Sequence, residues 1–195
     1  ISTEVSQPGN TAGNQATIGE LITYDLVITV PEGTTNTLRL IDSLSSELGF
    51  FEIVSVTASS GAITTANVIP AGGLSPFVTQ TGNDLTINFG TVTNTNTNNA
   101  IPETITVRLQ AVVLNVASNQ GGTTVNNQAH LVYDPGAVGT GDGSAGTANG
   151  PTVSAPTVTL VEPALSVTKQ VQNVTDGQPL ATTVRGDAGD IIQYS

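Results

Sequence analysis

Apolar residues recur at every second position in several stretches of the chain, the period of a strand with one buried face. In "ELITYDLVITV" (20–30), Ile22, Tyr24, Leu26, Ile28 and Val30 share one side. Thr23, Asp25 and Thr29 lie opposite, with Val27 the exception. This predicts a long half-buried strand, closed by the turn "PEGTTN". Shorter strands are predicted at "TLRLIDSL" (37–44) and "FFEIVSVTAS" (50–59). In the looser stretch that follows, "GAITTANVIPAGGLSPF", Gly and Pro point to loop or a short edge strand. "NDLTINFGTV" (83–92) turns Leu85, Ile87 and Phe89 inward, and Gly82-Asn83-Asp84 before it supplies hairpin residues. "ETITVRLQAVVL" (103–114) is a second long strand, with Ile105, Val107, Leu109, Ala111 and Val113 on one face. "TVNNQAHLVYD" (124–134) places Ala129, Leu131 and Tyr133 inward, and after the loop 135–151 "TVSAPTVTLVEP" (152–163) supplies a last strand.

No stretch of about a dozen residues shows the i, i+3, i+4, i+7 spacing of an amphipathic helix. Roughly seven to nine strands separated by turn signals define an all-β, immunoglobulin-like antiparallel sandwich. A closed barrel is the alternative that alternation alone does not separate from it.

Charge narrows the function. Fifteen acidic residues against four basic ones give a formal net charge of −11. Nucleic acid and anionic membrane surfaces both call for a basic footprint, whereas Arg39, Arg108, Lys169 and Arg185 are widely scattered. The chain has no cysteine, methionine or tryptophan. Disulfides and thiolate metal sites are thereby excluded, and the readily oxidised thioether is missing. A single lysine leaves few sites for basic-specific proteases. These features suit an extracellular, cell-surface location. The sequence opens on Ile1 and contains no apolar run of membrane-spanning length, so a processed piece of a longer protein is expected.

The last stretch, "ALSVTKQVQNVTDGQPLATTVRGDAGDIIQYS", restarts the first. Leu165-Ser166 align with Ile1-Ser2, and Gly189-Asp190 with Gly19-Glu20; both copies then read G-[DE]-[LI]-I-x-Y. The period is about 164 to 170 residues. Residues 1–161 are therefore expected to form one complete repeat, 162–164 a junction, and 165–195 the first two strands of a following repeat. Two strands cannot bury an apolar face alone, so 165–195 is expected to be disordered or to complete a sheet in a neighbouring molecule.

"GELITYDLVITV", "LIDSL" and "NNQAHLVYD" together resemble the conserved extracellular repeat of large prokaryotic surface proteins. That Ig-like domain of unknown function is related to the isopeptide-forming repeats of Gram-positive fimbriae. Its G-[DE]-x-[VI]-x-Y strand, D-x-L element and N-x-A strand would fall on Gly19 to Ile28, Asp42 to Leu44 and Asn127 to Tyr133. "LSVTKQV" resembles the opening strand of a next repeat. The resemblance implies an isopeptide acceptor at Asn127. Such a crosslink also needs a lysine on the first strand, and residues 1–18 contain none. Lys169, the only lysine, belongs to the following repeat, so no isopeptide bond is expected within 1–161. Gly19, Tyr24, Asp42 and Asn127 read instead as structural motif residues. Gly19 turns the chain into its strand; Tyr24 buries a ring whose hydroxyl seeks a partner; Asp42 and Asn127 tie down loop backbone through Asx-type bonds.

Catalysis finds little support: His130 falls on the polar face of its strand, and no nucleophile elbow, HExxH or phosphate-binding Gly loop is present. The expectation is no enzyme. Calcium is the competing chemistry, since "YDPGAVGTGDG" places Asp134 and Asp142 in one Gly-rich loop, and Glu162, Asp187 and Asp190 lie near the junction. Neither matches an EF-hand or a β-roll nonapeptide. Arg185-Gly186-Asp187 is an integrin-type tripeptide, too short to carry weight, and Asn173-Val174-Thr175 is a glycosylation sequon.

The function expected is a non-catalytic structural repeat module of a secreted bacterial surface, adhesin-stalk or filament protein, acting as spacer or assembly unit. Its partners would be neighbouring repeats or copies of the same protein, with no required cofactor. The competing reading is a calcium- or carbohydrate-binding adhesion module, contacting a host or matrix ligand through loops 61–76, 93–102 and 135–151. Aromatics make up only 4% of the chain, and Tyr24, Tyr133 and Tyr194 all point inward by alternation, which counts against a sugar site.

Overall fold

A computed structural model describes residues 13–98, 100–134, 148–162 and 167–195. Its strands in chain order are β1 (Gln15–Ala16), β2 (Leu21–Thr29), β3 (Gly33–Leu44), β4 (Leu48–Ala58) and β5 (Ile63–Thr65). Then come β6 (Val78–Thr81), β7 (Asp84–Asn94), β8 (Thr104–Val113), β9 (Thr124–Val125) and β10 (Asn127–Asp134). The last are β11 (Ala148–Asn149), β12 (Val153–Ser154), β13 (Val158–Leu160), β14 (Val171–Asn173) and β15 (Ile192–Tyr194). Contacts divide the chain into two compact units, Ile1–Glu162 and Pro163–Ser195.

The first unit is an all-β sandwich. One layer is the antiparallel sheet β2-β8-β4, and the facing layer runs β11-β10-β3-β7-β5, with β12 on β10 and β6 on β7. A third small sheet, β1-β13-β9, contains a parallel pair, β1 with β13. The alternating positions fill the space between layers. Ile105, Val107, Leu109, Ala111 and Val113 of β8 are all at most 1% exposed, and Leu85, Ile87 and Phe89 of β7 are fully buried. Each such aliphatic or aromatic side chain stabilises the fold by about 1.5–3 kcal/mol relative to exposure. Val27, the apolar residue on the polar side of β2, is 62% exposed.

Several elements depart from the pattern for identifiable reasons. The turn expected at "PEGTTN" ends early: β3 begins at Gly33, because Gly33, Thr34 and Thr35 pair with Asn94, Thr93 and Val92 of β7. Its polar stretch reads as a loop, yet its backbone finds a long neighbour. A bulge follows, with Thr37 at φ 49 between the two registers. The last strand expected over 152–163 is two short ones. Pro156 has no N–H to give a ladder, and the halves join different sheets, β12 to β10 and β13 to β1 and β9. Tyr133 is only partly buried, beside a bulge between Val132 and Asp134.

In the second unit β14 and β15 form a two-stranded antiparallel ladder, Val171↔Tyr194, Gln172↔Gln193 and Asn173↔Ile192. Tyr194, expected to face inward, is 62% exposed. Among the described residues of its unit, no second sheet closes over that face.

Candidate functional site

Among the buried polar side chains of the first unit, Tyr24, Asp42 and Asn127 lie between the two layers of the sandwich. Alternation on β3 points Leu38, Leu40, Asp42 and Leu44 inward, so the carboxyl of Asp42 enters the core at full burial. β10 starts by turning Asn127 inward alongside Ala129, and β2 contributes Tyr24 between Ile22 and Ile28. The antiparallel register sets Ala129 opposite Asp42 and Asn127 opposite Leu44. Asn127 Nδ2 then donates to Asp42 Oδ1 at 2.7 Å. Asp42 and Asn127 thus meet each other rather than loop backbone. Asp42 Oδ2, Asn127 Oδ1 and the Tyr24 hydroxyl are buried with no hydrogen-bond partner. An unmet buried acceptor is costly, about 1–3 kcal/mol each and more for a charge, so three in one place mark a polar site.

Burial pushes the Asp42 carboxyl up to about 7; the bond from Asn127 works against that rise, and the charge of Asp84 adds to it. Tyr24 is pushed up to about 12, by burial first and then by the neighbouring Asp42 charge. Near neutral pH the carboxyl is therefore poised between its acid and its anion. A neutral acid could donate to a neighbour, while the anion demands donors that the surrounding apolar side chains do not offer.

A groove with a volume of about 610 Å³ lies between β2 and the β10–β12 layer, its walls including Tyr24, Leu26, Ile28, Leu40, Asn127 and Leu131. β2 pairs with β8 along one edge over all nine of its residues. Among the described residues its other edge pairs with no strand, and that edge borders the groove.

Gly19 takes φ 89, a conformation only glycine adopts without strain, and starts the turn into β2. Beside it lies a buried group that periodicity missed. Glu20 is fully buried, and its Oε2 accepts from Thr17 N at 2.7 Å. The signal was a carboxylate directly after the turn glycine, three residues from the Thr17 amide. The same arrangement occurs in the second unit. Gly189 takes φ 102, and Asp190 Oδ2 accepts from Asp187 N at 2.7 Å. The backbone bonds Glu20 N→Thr17 O and Asp190 N→Asp187 O are both 3.1 Å.

Asp134 closes β10, and Asp142 lies outside the described residues. The alignment of Leu165-Ser166 with Ile1-Ser2, most of the 135–151 loop and part of the 162–164 junction also lie outside them. Glu162 belongs to the first unit, Asp187 and Asp190 to the second. Among the described residues no three His, Asp or Glu side chains gather closely enough to hold a metal. His130 is half-buried on a wall of the groove. The sequon residue Asn173 is fully buried, its Nδ2 donating to Asp176 Oδ2, Arg185 O and Asp190 Oδ2. The backbone N–H of Asp187 and the bond from Asn173 hold the Asp190 carboxyl below its usual range. Arg185-Gly186-Asp187 is thereby part of this turn rather than a free loop tip. Lys169 places its ammonium 4.3 Å from the centre of the Tyr194 ring.

No protein-family model matches the chain, and neither does any curated protein. Solved structures similar to it include the full-length major pilin SpaD of Corynebacterium diphtheriae. That match has 16% identity and a TM-score of 0.42, over 72% of this chain and 32% of that one. A 35 kDa C-terminal fragment of the major pilin GBS80 of Streptococcus agalactiae matches at 11% identity and TM-score 0.44, over 85% and 56%. BcpA, the major pilin subunit of Bacillus cereus, matches at 11% identity and TM-score 0.42, over 93% and 52%. The chain spans less than two thirds of the length of each.

Proposed function

We propose that residues 1–161 are a non-catalytic structural module, repeated in tandem in an extracellular surface or filament protein, and that 165–195 begin the next copy. The observation that carries this reading is the repeated turn. Thr17–Glu20 and Asp187–Asp190 share a left-handed glycine, the same backbone bond and a carboxylate closing on the amide three residues earlier. Two sequences with different residues at most positions build one turn, at the points where the self-alignment puts them. The division at Glu162/Pro163 supports a block-like organisation. No helix among the described residues is long and apolar enough to cross a membrane.

The role is mechanical spacing or assembly, with neighbouring repeats or other copies as partners and no cofactor needed. The Tyr24–Asp42–Asn127 cluster has no lysine of its own among the described residues, and Lys169 lies in the other unit. We therefore expect intact mass to equal the sequence mass. A deficit of about 17 Da, one ammonia lost per amide crosslink, would overturn that expectation. Single-molecule pulling on copies linked in series tests the module itself. The reading requires one force peak per copy, equally spaced. Unfolding without a peak sinks it, as does strong heat on titration with calcium or a glycan panel, which favours the adhesion module instead.

A further inference from the structure

Arg39 lies on β3, the middle strand of the order β11-β10-β3-β7-β5. Alternation turns Leu38, Leu40 and Asp42 into the core, so Arg39 stands on the outer face of that layer. Its side chain is half-buried, and its Nε is buried with no hydrogen-bond partner. A guanidinium only donates, so a buried Nε–H without an acceptor is a group that calls for an explanation. The other sheet shows what satisfies such an edge. Arg108 Nε donates to Asp25 Oδ1 and its Nη2 to Asp25 Oδ2, both at 2.7 Å. That is the two-point fit of a planar carboxylate to one side of a guanidinium.

Arg39 has the same edge and, among the described residues, no acid on it. With fifteen acidic residues to four basic ones, acids are not in short supply. Of those on β3, β7 and β10, Asp42 is in the core, Asp84 Oδ1 accepts from Ser43 Oγ at 2.6 Å, and Asp134 is not free. Register supplies further donors instead. Asn88 of β7 lies directly across from Arg39, and Thr86 and His130 flank Ile41, the next residue of β3 on that face. Directly opposed side chains start about 4.5–5.5 Å apart and diagonal ones about 7–8 Å, within reach of an arginine. Asn88 Oδ1 accepts from Gly90 N at 3.0 Å, which orients the amide and leaves its N–H groups for another acceptor. Val132, across from Arg39 on β10, is 8% exposed, and apolar neighbours strengthen a charge-assisted bond.

We propose that Arg39, with Asn88, Thr86 and His130 around it, is a carboxylate-binding site. The two oxygens of the acid take Arg39 Nε and a terminal guanidinium nitrogen, and Asn88 Nδ2 donates to one of them. The acid is a side chain of a second copy or a free organic acid, one chemistry from two sources. The site does not depend on the module reading, and either fails without the other.

The test follows the Arg39 Nε–H resonance of the full chain by NMR at fixed pH, with sodium acetate titrated against sodium chloride at matched ionic strength. Expected is a saturable shift at Arg39 and at the amides of residues 86–88 and 130–132, half-complete on the order of 10 mM acetate. Arg108, already held by Asp25, should not move. Arg39→Lys keeps the charge and loses the fork, and should weaken binding at least about fivefold. Asn88→Ala, with a loss of about twofold, serves should that variant fail to fold. A shift at Arg39 that grows with protein concentration between about 20 μM and 1 mM, and that acetate competes away, assigns the acid to a second copy. A response to acetate that is independent of protein concentration assigns it to a free acid. No shift at Arg39 by about 100 mM acetate, an equal shift with chloride, or undiminished binding by Arg39→Lys would each overturn the proposal.

Discussion

The turns Thr17–Glu20 and Asp187–Asp190 have the same bonds at the same distances, yet the first buries the two residues that make its bonds and the second leaves them at the surface. Thr17 and Glu20 are buried, while Asp187 is exposed and Asp190 is half-covered; the glycine is exposed in both turns. Downstream of the first, β2 runs nine residues against β8; downstream of the second, β15 runs three against β14. A turn is decided by the few residues in it, a left-handed glycine and a carboxylate within reach of an amide. Burial is decided by strands far away in sequence. The second copy of the motif therefore has the local geometry without the stability that a facing sheet provides.

The largest break in that comparison is made in the core. Phe89→Ala removes a fully buried ring and should cost the first unit about 3–5 kcal/mol, read as a lower urea midpoint. The exchange protection of Ile192–Tyr194 should stay unchanged; loss of both together would show that the units are not separate.

Next comes acidity. Asp42 titrates near 7 in the folded chain against the ordinary value of 3.8 when unfolded. Below about pH 4 it is protonated in both states. Between there and about pH 7 the native state keeps a proton that the unfolded chain has released, so stability falls as pH rises and then levels off. The drop due to this group is at most about 4 kcal/mol, and Asp42→Asn should abolish it. Urea midpoints of the two chains across pH 4 to 8 give the difference directly; parallel curves would refute it.

A smaller effect separates the twin turns. Glu20→Ala leaves the buried Thr17 amide without its acceptor and should cost about 1–3 kcal/mol. Asp190→Ala should leave the urea midpoint of the first unit where it is and raise exchange only at Asp187 and its neighbours. The smallest effect is at the surface, where Arg108 Nε and Nη2 each bond Asp25 at 2.7 Å with both side chains largely in water. Arg108→Gln should shift the midpoint barely, and the shift should vanish in high salt.

Alternation revealed the long strands almost completely. The β8 face and the inward set of β7 could be read residue by residue, because each has one buried side and five or six turns of the pleat to show it. The two-residue strands β1, β9, β11 and β12 show no period, and the split at Pro156 depended on which sheet each half would join. Asp42 was read as tying down loop backbone, although alternation in "LRLIDSL" sets it on the face of Leu38, Leu40 and Leu44; its meeting with Asn127 was not legible, since it depends on the register between strands 85 residues apart. Tyr194 shows the converse failure. Its inward placement assumed a facing sheet, and the described residues of that unit form none. Asn173 read as a sequon, yet its buried amide is the hub that ties an exposed turn together.

One feature of the first unit governs how it would carry load. β1 stands near its beginning and β13 near its end, and the two run parallel, Gln15 beside Thr159 and Ala16 beside Leu160. The bonds Thr159 N→Asn14 O and Val161 N→Ala16 O extend the pair. Tension applied through the two ends of the module slides these strands lengthwise past each other, so that their bonds are strained together in shear. An antiparallel pair in the same place would open one bond at a time, like a zip.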